Sequence, residues 1–539
     1  MFKLRDYQAD AIQSARVSLS KNRATIMKLF TGAGKTIIAS TVIESVDKKG
    51  GRALFLCHTN ELVLQFEEKL RASTGLTTHI EKAKRTAHDK GGSCVCASVQ
   101  SLSKPKRLEK YPADHFSLII TDEVHRGCAD TYQAIYNHFK KAKMIGLTAT
   151  PFRTDEKSLG ETFDDVCCDY GLEWGIGNGW LVPIVSITVP LKINLAGVKS
   201  TAGDFKKGQL DDAITPIMEE VADEMIKQGC LREKVLVFLP TKAASRRFAG
   251  ILEEKGFRSA HLDGNTKGRQ SLLKYYSEMD YMVLCNPMVL KEGYDEPTIT
   301  VVIDLTPTRS TLLYIQKIGR GGRPICGHFP EDSTPEERKV IIASSKKPCM
   351  KILDFLWHGA SHNLCHPARL FAKNPEVEKK MVEISSKGGS KNLQEVEKEA
   401  HKMLVSEREA ALAKSLKAFT GLKSMKFDPV LQAVSLFDDS LVDWKPEVKW
   451  QGEPMSDSQE TYLTNNGFDC DGWKKGYASK VMDSLAQRRA DGLASPKMVR
   501  CLMKNGYANA PKMRFDDAKE AIDKLAKTWE KNKRYKSRR

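Results

Sequence analysis

No apolar run in the chain approaches the roughly 18 residues that mark a membrane-crossing helix, and Met1-Phe2-Lys3-Leu4-Arg5-Asp6 begins no signal peptide. Neither membrane insertion nor export is expected, and a cytoplasmic setting is. The 13 cysteines are odd in number and have no regular spacing, which argues against a disulfide framework and for reduced thiols. Acidic residues are outnumbered: 68 Asp and Glu stand against 85 Lys and Arg, a net charge of +17. Such an excess suits a polyanion such as nucleic acid, although a well-solvated surface would show it too. No nuclease constellation is found. With 539 residues, 41% hydrophobic and 28% charged, the chain has core enough for about three soluble domains.

What is present is organised around Phe30-Thr31-Gly32-Ala33-Gly34-Lys35-Thr36. An apolar run precedes it and a helical pattern follows, so it reads as strand, glycine turn, helix. Such a turn aims backbone N–H groups and a helix N-terminus at one point, which favours an anion. Lys35 would reach the β- and γ-phosphates of a nucleotide and the Thr36 hydroxyl would hold Mg²⁺. The first glycine of the usual phosphate loop is missing, replaced by Leu29.

Gln8 lies one helix and one strand upstream, where its amide could pair with an adenine edge. Downstream, Arg52 to Cys57 and Cys94 to Ala97 read as buried strands ending in polar clusters that include Thr59 and Ser98. Polar groups at the carboxyl ends of parallel strands lie on the ligand edge of a sheet. Helix capping by Thr59 and Ser98 is the simpler alternative, and capping could coexist with nucleic-acid contact. The run from Phe116 to Thr121 ends in Asp122-Glu123-Val124-His125, 87 positions after Lys35. Adjacent carboxylates are costly unless a cation or a reaction needs them. Asp122 would hold Mg²⁺, Glu123 would polarise water, and His125 would sense the γ-phosphate or a neighbouring lobe. The strand Lys143 to Leu147 then ends in Thr148-Ala149-Thr150, two hydroxyls placed to couple the ATP site to another surface.

Gln8, Gly32-Ala33-Gly34-Lys35-Thr36, Asp122-Glu123-Val124-His125 and Thr148-Ala149-Thr150 together resemble the Q motif, Walker A, Walker B and motif III of superfamily 2 helicases of the DExH kind. The absent first glycine is usual in that superfamily. The resemblance implies two tandem RecA-like lobes, each an α/β doubly wound parallel sheet, followed here by a helical C-terminal region. It also implies ATP and Mg²⁺ as cofactors and arginines supplied by the second lobe.

A second lobe is legible. Residues 171 to 232 read as a glycine-crowded crossing between lobes, after which buried strands recur at Val235 to Leu239, Tyr281 to Leu284 and Thr300 to Leu305. Thr241 and Asn286 stand at strand ends where nucleic acid would lie. The segment Cys285 to Pro297 resembles motif V, with Gly293 for a tight turn and Asp295 placed to meet the ribose or the opposite lobe. Gln316-Lys317-Ile318-Gly319-Arg320-Gly321-Gly322-Arg323 matches motif VI. Arg320 and Arg323, three apart on a helical turn, would share a face and stabilise charge on the transferred phosphoryl group, with Gln316 beside them.

Cys326, His328, Cys349, His358, His362, Cys365 and His366 invite a zinc reading, but none has paired ligand spacing, and Lys351 to Trp357 reads better as a last strand. The expected domains are 1–172 and 173–370 for the two lobes, 371–450 for a charged helical linker, and 451–539 for a tandem helical repeat of offset 39 with a basic tail. That repeat would grip nucleic acid or a replication or repair partner, or serve as a packing unit.

The overall pattern is similar to bacterial and bacteriophage DNA helicases, which places the protein in a bacterial cytoplasm, or in the host's if phage-encoded. It implies ATP-driven movement along DNA, favoured over RNA. An RNA helicase and a binding module with a degenerate ATP site are the alternatives.

Overall fold

The computed structural model describes residues 4–127, 129–149, 159, 162–189, 198, 200–201, 204–287, 290, 294, 296–326, 329–355, 365–372, 375–387, 389–418, 441, 444, 446, 448–468, 470–507 and 509–536. The chain divides into two compact units, residues 1–371 with 382–396, and residues 372–381 with 397–539.

The first unit holds two seven-stranded sheets. The first contains β1 (Ala24–Leu29), β2 (Ala53–Cys57), β3 (Thr78–Glu81), β4 (Cys94–Ser98), β5 (Leu118–Asp122), β6 (Lys143–Thr148) and β7 (Asp165–Tyr170). Their order is β3-β4-β2-β5-β6-β1-β7, and every pairing is parallel. A parallel sheet is covered on both faces, which is why β2 and β5 are near-continuous apolar runs. The helix α1 (Asp6–Lys21) buries Tyr7, Ala11, Ile12 and Ala15, one helical stripe. The helix α2 (Lys35–Asp47) starts directly from the phosphate loop, and α3 (Asn60–Thr74) follows β2.

The second sheet contains β8 (Ile184–Val189), β11 (Lys234–Phe238), β12 (Ser259–His261), β13 (Met282–Asn286), β14 (Val301–Asp304), β15 (Met350–Phe355) and β16 (Gly389–Asn392). Between β8 and β11 lies a two-stranded hairpin of β9 (Ser200–Thr201) and β10 (Asp204–Phe205). The sheet order is β12-β13-β11-β14-β15-β8-β16, all parallel except the antiparallel β16. Two doubly wound lobes are therefore present, as the motif order implied.

Two expectations change here. The crossing between lobes is shorter than residues 171 to 232. β8 already belongs to the second sheet, and Leu210, Ile214, Met218, Val221 and Met225 pack into that lobe's core. The true crossing runs from Gly171 to Pro183, between β7 and β8. Gly389 and Ser390, inside the stretch expected to be a linker, open edge strand β16, which pairs Gly389 with Thr188 and Asn392 with Val185.

In the second unit the tandem repeat is visible as structure. Ser456 caps the helix Asp457–Asn465 and Ser495 caps Pro496–Lys504. Each unit closes with one isolated bridge at an equivalent position, Pro454 with Lys474 and Leu493 with Arg514. The halves have separate cores, one around Leu463, Phe468 and Val481, the other around Val499, Leu502 and Ala518. Among the described residues, no helix is long and apolar enough to cross a membrane.

Candidate nucleotide site between the two lobes

The phosphate loop takes its shape from two glycines. Gly32 and Gly34 have φ of +92° and +80°, backbone that L side chains rarely adopt. Gly34 is the N-cap of α2, so the helix's first free N–H groups face the loop. Behind the loop, the Tyr7 hydroxyl and the Gln8 Nε2 both donate to the Ala33 carbonyl, at 2.8 and 2.9 Å. Gln8 Oε1 accepts from the Arg5 N–H at 3.0 Å, and the side chain is 2% exposed. The structure thus does not present Gln8 to an adenine edge: its amide props the loop from behind.

β5 delivers Asp122 and Glu123 to the front of the loop. Glu123 adopts φ +50°, unusual for a non-glycine residue, and turns its carboxylate to Lys35 Nζ at 3.1 Å and His125 Nδ1 at 3.3 Å. Burial would raise the Glu123 carboxyl, but the Lys35 ammonium and His125 override it and hold the group well below the usual carboxylate range. His125 is 3% exposed, and its Nε2 meets no hydrogen-bond partner among the described residues.

The second lobe completes the site. A cleft of about 800 Å³ is lined by Thr31, Gly32, Gly34, Lys35, Thr36, Asp122 and Glu123 from the first lobe and by Tyr294, Gln316, Gly319, Arg320 and Arg323 from the second. The helix Thr311–Ile318 ends before the arginines, and a 3-10 turn, Gly319–Gly321, carries Arg320. One Arg320 guanidinium nitrogen donates to the Tyr294 carbonyl at 2.7 Å. The fit across the cleft is tight. A Cβ on Gly32 would stand 2.7 Å from Arg323 Cδ, and one on Gly319 would stand 3.0 Å from Thr31 Cβ. Burial, and then the charge of Arg5, push the Arg323 guanidinium down to about 10.

The donor set suits a polyphosphate with its metal. Lys35, Arg16, Arg320 and Arg323 line one cavity with Thr36 and the two carboxylates, and buried Gln316 Nε2 has no hydrogen-bond acceptor among the described residues. Ala33 is fully buried, with its carbonyl accepting from Tyr7 and Gln8 behind the loop.

The remaining expected residues divide. Thr148 is fully buried at the end of β6, while Thr150, Gly293 and Asp295 lie outside the described residues, as do His328, His358 and His362. Thr59 caps α3 by accepting the Leu62 N–H at 3.4 Å. Thr241 caps the helix Lys242–Glu254 and donates to Asp211. Ser98 and Asn286 require correction. Ser98 is 2% exposed and donates to Gln100, and Asn286 is fully buried, with its amide bonded to the Val237 carbonyl and the Leu290 N–H. Neither side chain is offered to nucleic acid, because each serves the end of its own strand. Among the described residues no group of three His, Cys, Asp or Glu could hold a metal ion. His366 is spent on Asp354 and the Ala368 N–H.

Sequence reasoning missed the aromatic cluster behind the loop. Tyr7, Phe30, Tyr170, Trp174 and Trp180 pack ring to ring, and Arg5 and Arg338 both stack on Trp180, at 4.8 and 4.1 Å. The glycine-crowded crossing with its two tryptophans was the available signal.

Comparison with known proteins agrees with this arrangement. The family profile for the type III restriction enzyme res subunit matches residues 1–153, and that for the helicase conserved C-terminal domain matches residues 218–324. IRC3 of Saccharomyces cerevisiae, whose name gives it as a candidate ATP-dependent helicase, is 32% identical over 344 residues, 59% of this chain and 49% of that one. A 51.5 kDa protein of a Lactococcus phage is 30% identical over 300 residues, 54% of this chain and 61% of that one. The chain thus spans about half of the yeast protein and less than two thirds of the phage protein. Among solved structures, a fragment of a candidate HsdR subunit of a type I restriction enzyme from Vibrio vulnificus matches with a TM-score of 0.50 at 22% identity, covering 67% of this chain and 65% of that one. The ordered motifs, the two parallel-sheet lobes and the two family matches, one in each lobe, point to a superfamily 2 helicase.

Proposed function

We propose that the protein is an ATP-dependent helicase or translocase acting on DNA, in replication, recombination or repair, of the kind encoded by bacteriophages and bacteria. The observation that carries this reading is the single cleft in which Lys35, Asp122 and Glu123 face Arg320 and Arg323 from the other lobe. ATP with Mg²⁺ would supply the transferable phosphoryl group and partial neutralisation of its charge. Thr36 and Asp122 would hold the metal, and the backbone of Thr31 to Gly34 with Lys35 would cradle the phosphates.

Glu123, kept ionised by Lys35 and His125, is the base that takes the proton of the attacking water. Arg320 and Arg323, with Gln316, stabilise the charge that develops as the phosphoryl group transfers. Closure needs both lobes, and hydrolysis releases them, so a strand lying across both would be moved stepwise. His125, Thr148 and Thr150 would transmit the state of the site, Gly293 and Asp295 would close it from the second lobe, and Thr59 and Thr241 lie at helix starts suited to a phosphate backbone.

DNA is favoured over RNA because the matching family is named for a restriction enzyme and a relative comes from a phage. The C-terminal repeat would add affinity for the nucleic acid, or for a replication or repair protein bound to it. The test is ATP hydrolysis and strand displacement with single-stranded, duplex and forked DNA and with RNA. Stimulation and displacement on DNA are expected. Stimulation by RNA alone would favour an RNA helicase, and ATP binding without turnover on any nucleic acid would favour a binding module.

A further inference from the structure

Lys347 is a buried cation that the chemistry described so far does not use. It lies between the helix Pro335–Ala343 and β15 and is 0% exposed. Its Nζ donates to the Arg323 carbonyl and to the Pro297 carbonyl, both at 2.7 Å. Pro297 ends the Cys285 to Pro297 segment, whose Tyr294 lines the cleft, and Arg323 ends motif VI. One ammonium therefore fastens together the two backbone segments that the second lobe brings to the cleft. Charge-assisted bonds of this kind are about twice as strong as neutral ones, and a lysine this deep is rarely retained without a task.

The consequence follows from the reach of Arg323. Its side chain crosses to the phosphate loop so closely that Gly32 has no room for a Cβ. A long side chain anchored at a movable backbone would lose that placement, because a shift of the carbonyl moves the whole arm. We infer that Lys347 is a positioning residue for ATP hydrolysis, holding the Arg323 backbone to Pro297 so that the guanidinium stands at the phosphates. This inference rests on the role proposed for Arg323.

The charge on Lys347 supplies a second readout. Burial, and then the Arg323 guanidinium, push the Lys347 ammonium down to about 7, with Glu296 and Cys349 acting in the opposite direction. The group is charged below that value and neutral above it, so the anchor weakens as pH rises through neutrality. Phosphates bound beside Arg323 would favour the charged form and move the transition upward.

The experiment compares Lys347→Met and Lys347→Arg with wild type in the full chain, by steady-state ATP hydrolysis with DNA across pH 6 to 9 and by binding of a non-hydrolysable ATP analogue. Methionine keeps the volume and removes both bonds. It is expected to lower kcat by about tenfold or more, to leave KM and analogue affinity within roughly threefold, and to abolish the fall in kcat as pH rises through neutrality. Arginine can still donate to both carbonyls but does not titrate in this range. It should retain most of kcat and lack the fall. Wild-type kcat in Lys347→Met, or an unchanged pH profile in Lys347→Arg, would overturn the inference, and the second outcome decides the matter should the methionine variant fail to fold. Arg323→Ala is the separating control. Normal turnover in that variant refutes the role of Arg323 itself, whereas lost turnover there with normal turnover in both Lys347 variants refutes only the anchor.

Discussion

Replacing Gly32 with alanine tests whether the phosphate loop and the second lobe act as one site. Gly32 sits at φ +92°, and a Cβ there would meet Arg323 Cδ at 2.7 Å and Cγ at 2.9 Å. Carbon atoms in contact settle at about 3.5–4.0 Å, so the arm of Arg323 must withdraw by about 1 Å or the lobes must part by as much. The left-handed backbone costs an L residue about 1–2 kcal/mol in addition. A misplacement of about 1 Å in a catalytic arrangement can cost ~10²-fold in rate. Gly32→Ala is therefore expected to lower DNA-stimulated kcat by about 10²-fold while changing ATP-analogue affinity much less. The decisive assay is the double-mutant cycle with Arg323→Ala. If Gly32 acts through Arg323, the double variant is no slower than Arg323→Ala alone, whereas independent sites would multiply their losses. Additive losses would refute the account of how the lobes meet.

Glu123→Gln should bind ATP and fail to turn it over, with kcat lowered by about 10²–10⁴-fold in steady-state assays. An unimpaired rate would remove Glu123 as the base. Lys35→Ala should raise KM for ATP steeply, and normal turnover at low ATP would contradict the phosphate-loop assignment. Ending the chain after Glu453 should leave basal ATP hydrolysis intact and weaken DNA binding severalfold in an equilibrium titration; unchanged affinity and unwinding would make the repeat a packing unit.

The meeting of these residues in one cleft was legible because it depends on residue types at near-fixed spacing. A strand ending in Asp122-Glu123, a turn containing Gly32 and Gly34, and arginines at 320 and 323 each announce a charge that must be met, and the structure brings all of them to one cleft. What was not legible depended on tertiary partners. The Ile184–Val189 run falls in the stretch expected to cross between lobes, and only its pairing with β15 assigns it to the second sheet. β16 has no hydrophobic run at all, since Gly389-Ser390-Lys391-Asn392 is an edge strand half open to water. Asn286 and Gln8 misled for one reason: a polar side chain near a ligand edge can face the ligand or satisfy buried backbone, and sequence does not distinguish the two. Lys347 carries no sequence signal, because its work is done on carbonyls 24 and 50 positions away.

The central claim is that the ATP site is complete only when the second lobe contributes its arginines, and that nucleic acid controls this completion. DNA-stimulated ATP hydrolysis by wild type and Arg323→Ala, measured side by side with ATP-analogue affinity, tests it most directly. DNA is expected to accelerate the wild type, while Arg323→Ala still binds the analogue and its stimulated rate falls by about 10³-fold. Hydrolysis by Arg323→Ala at the wild-type rate in the presence of DNA would contradict it.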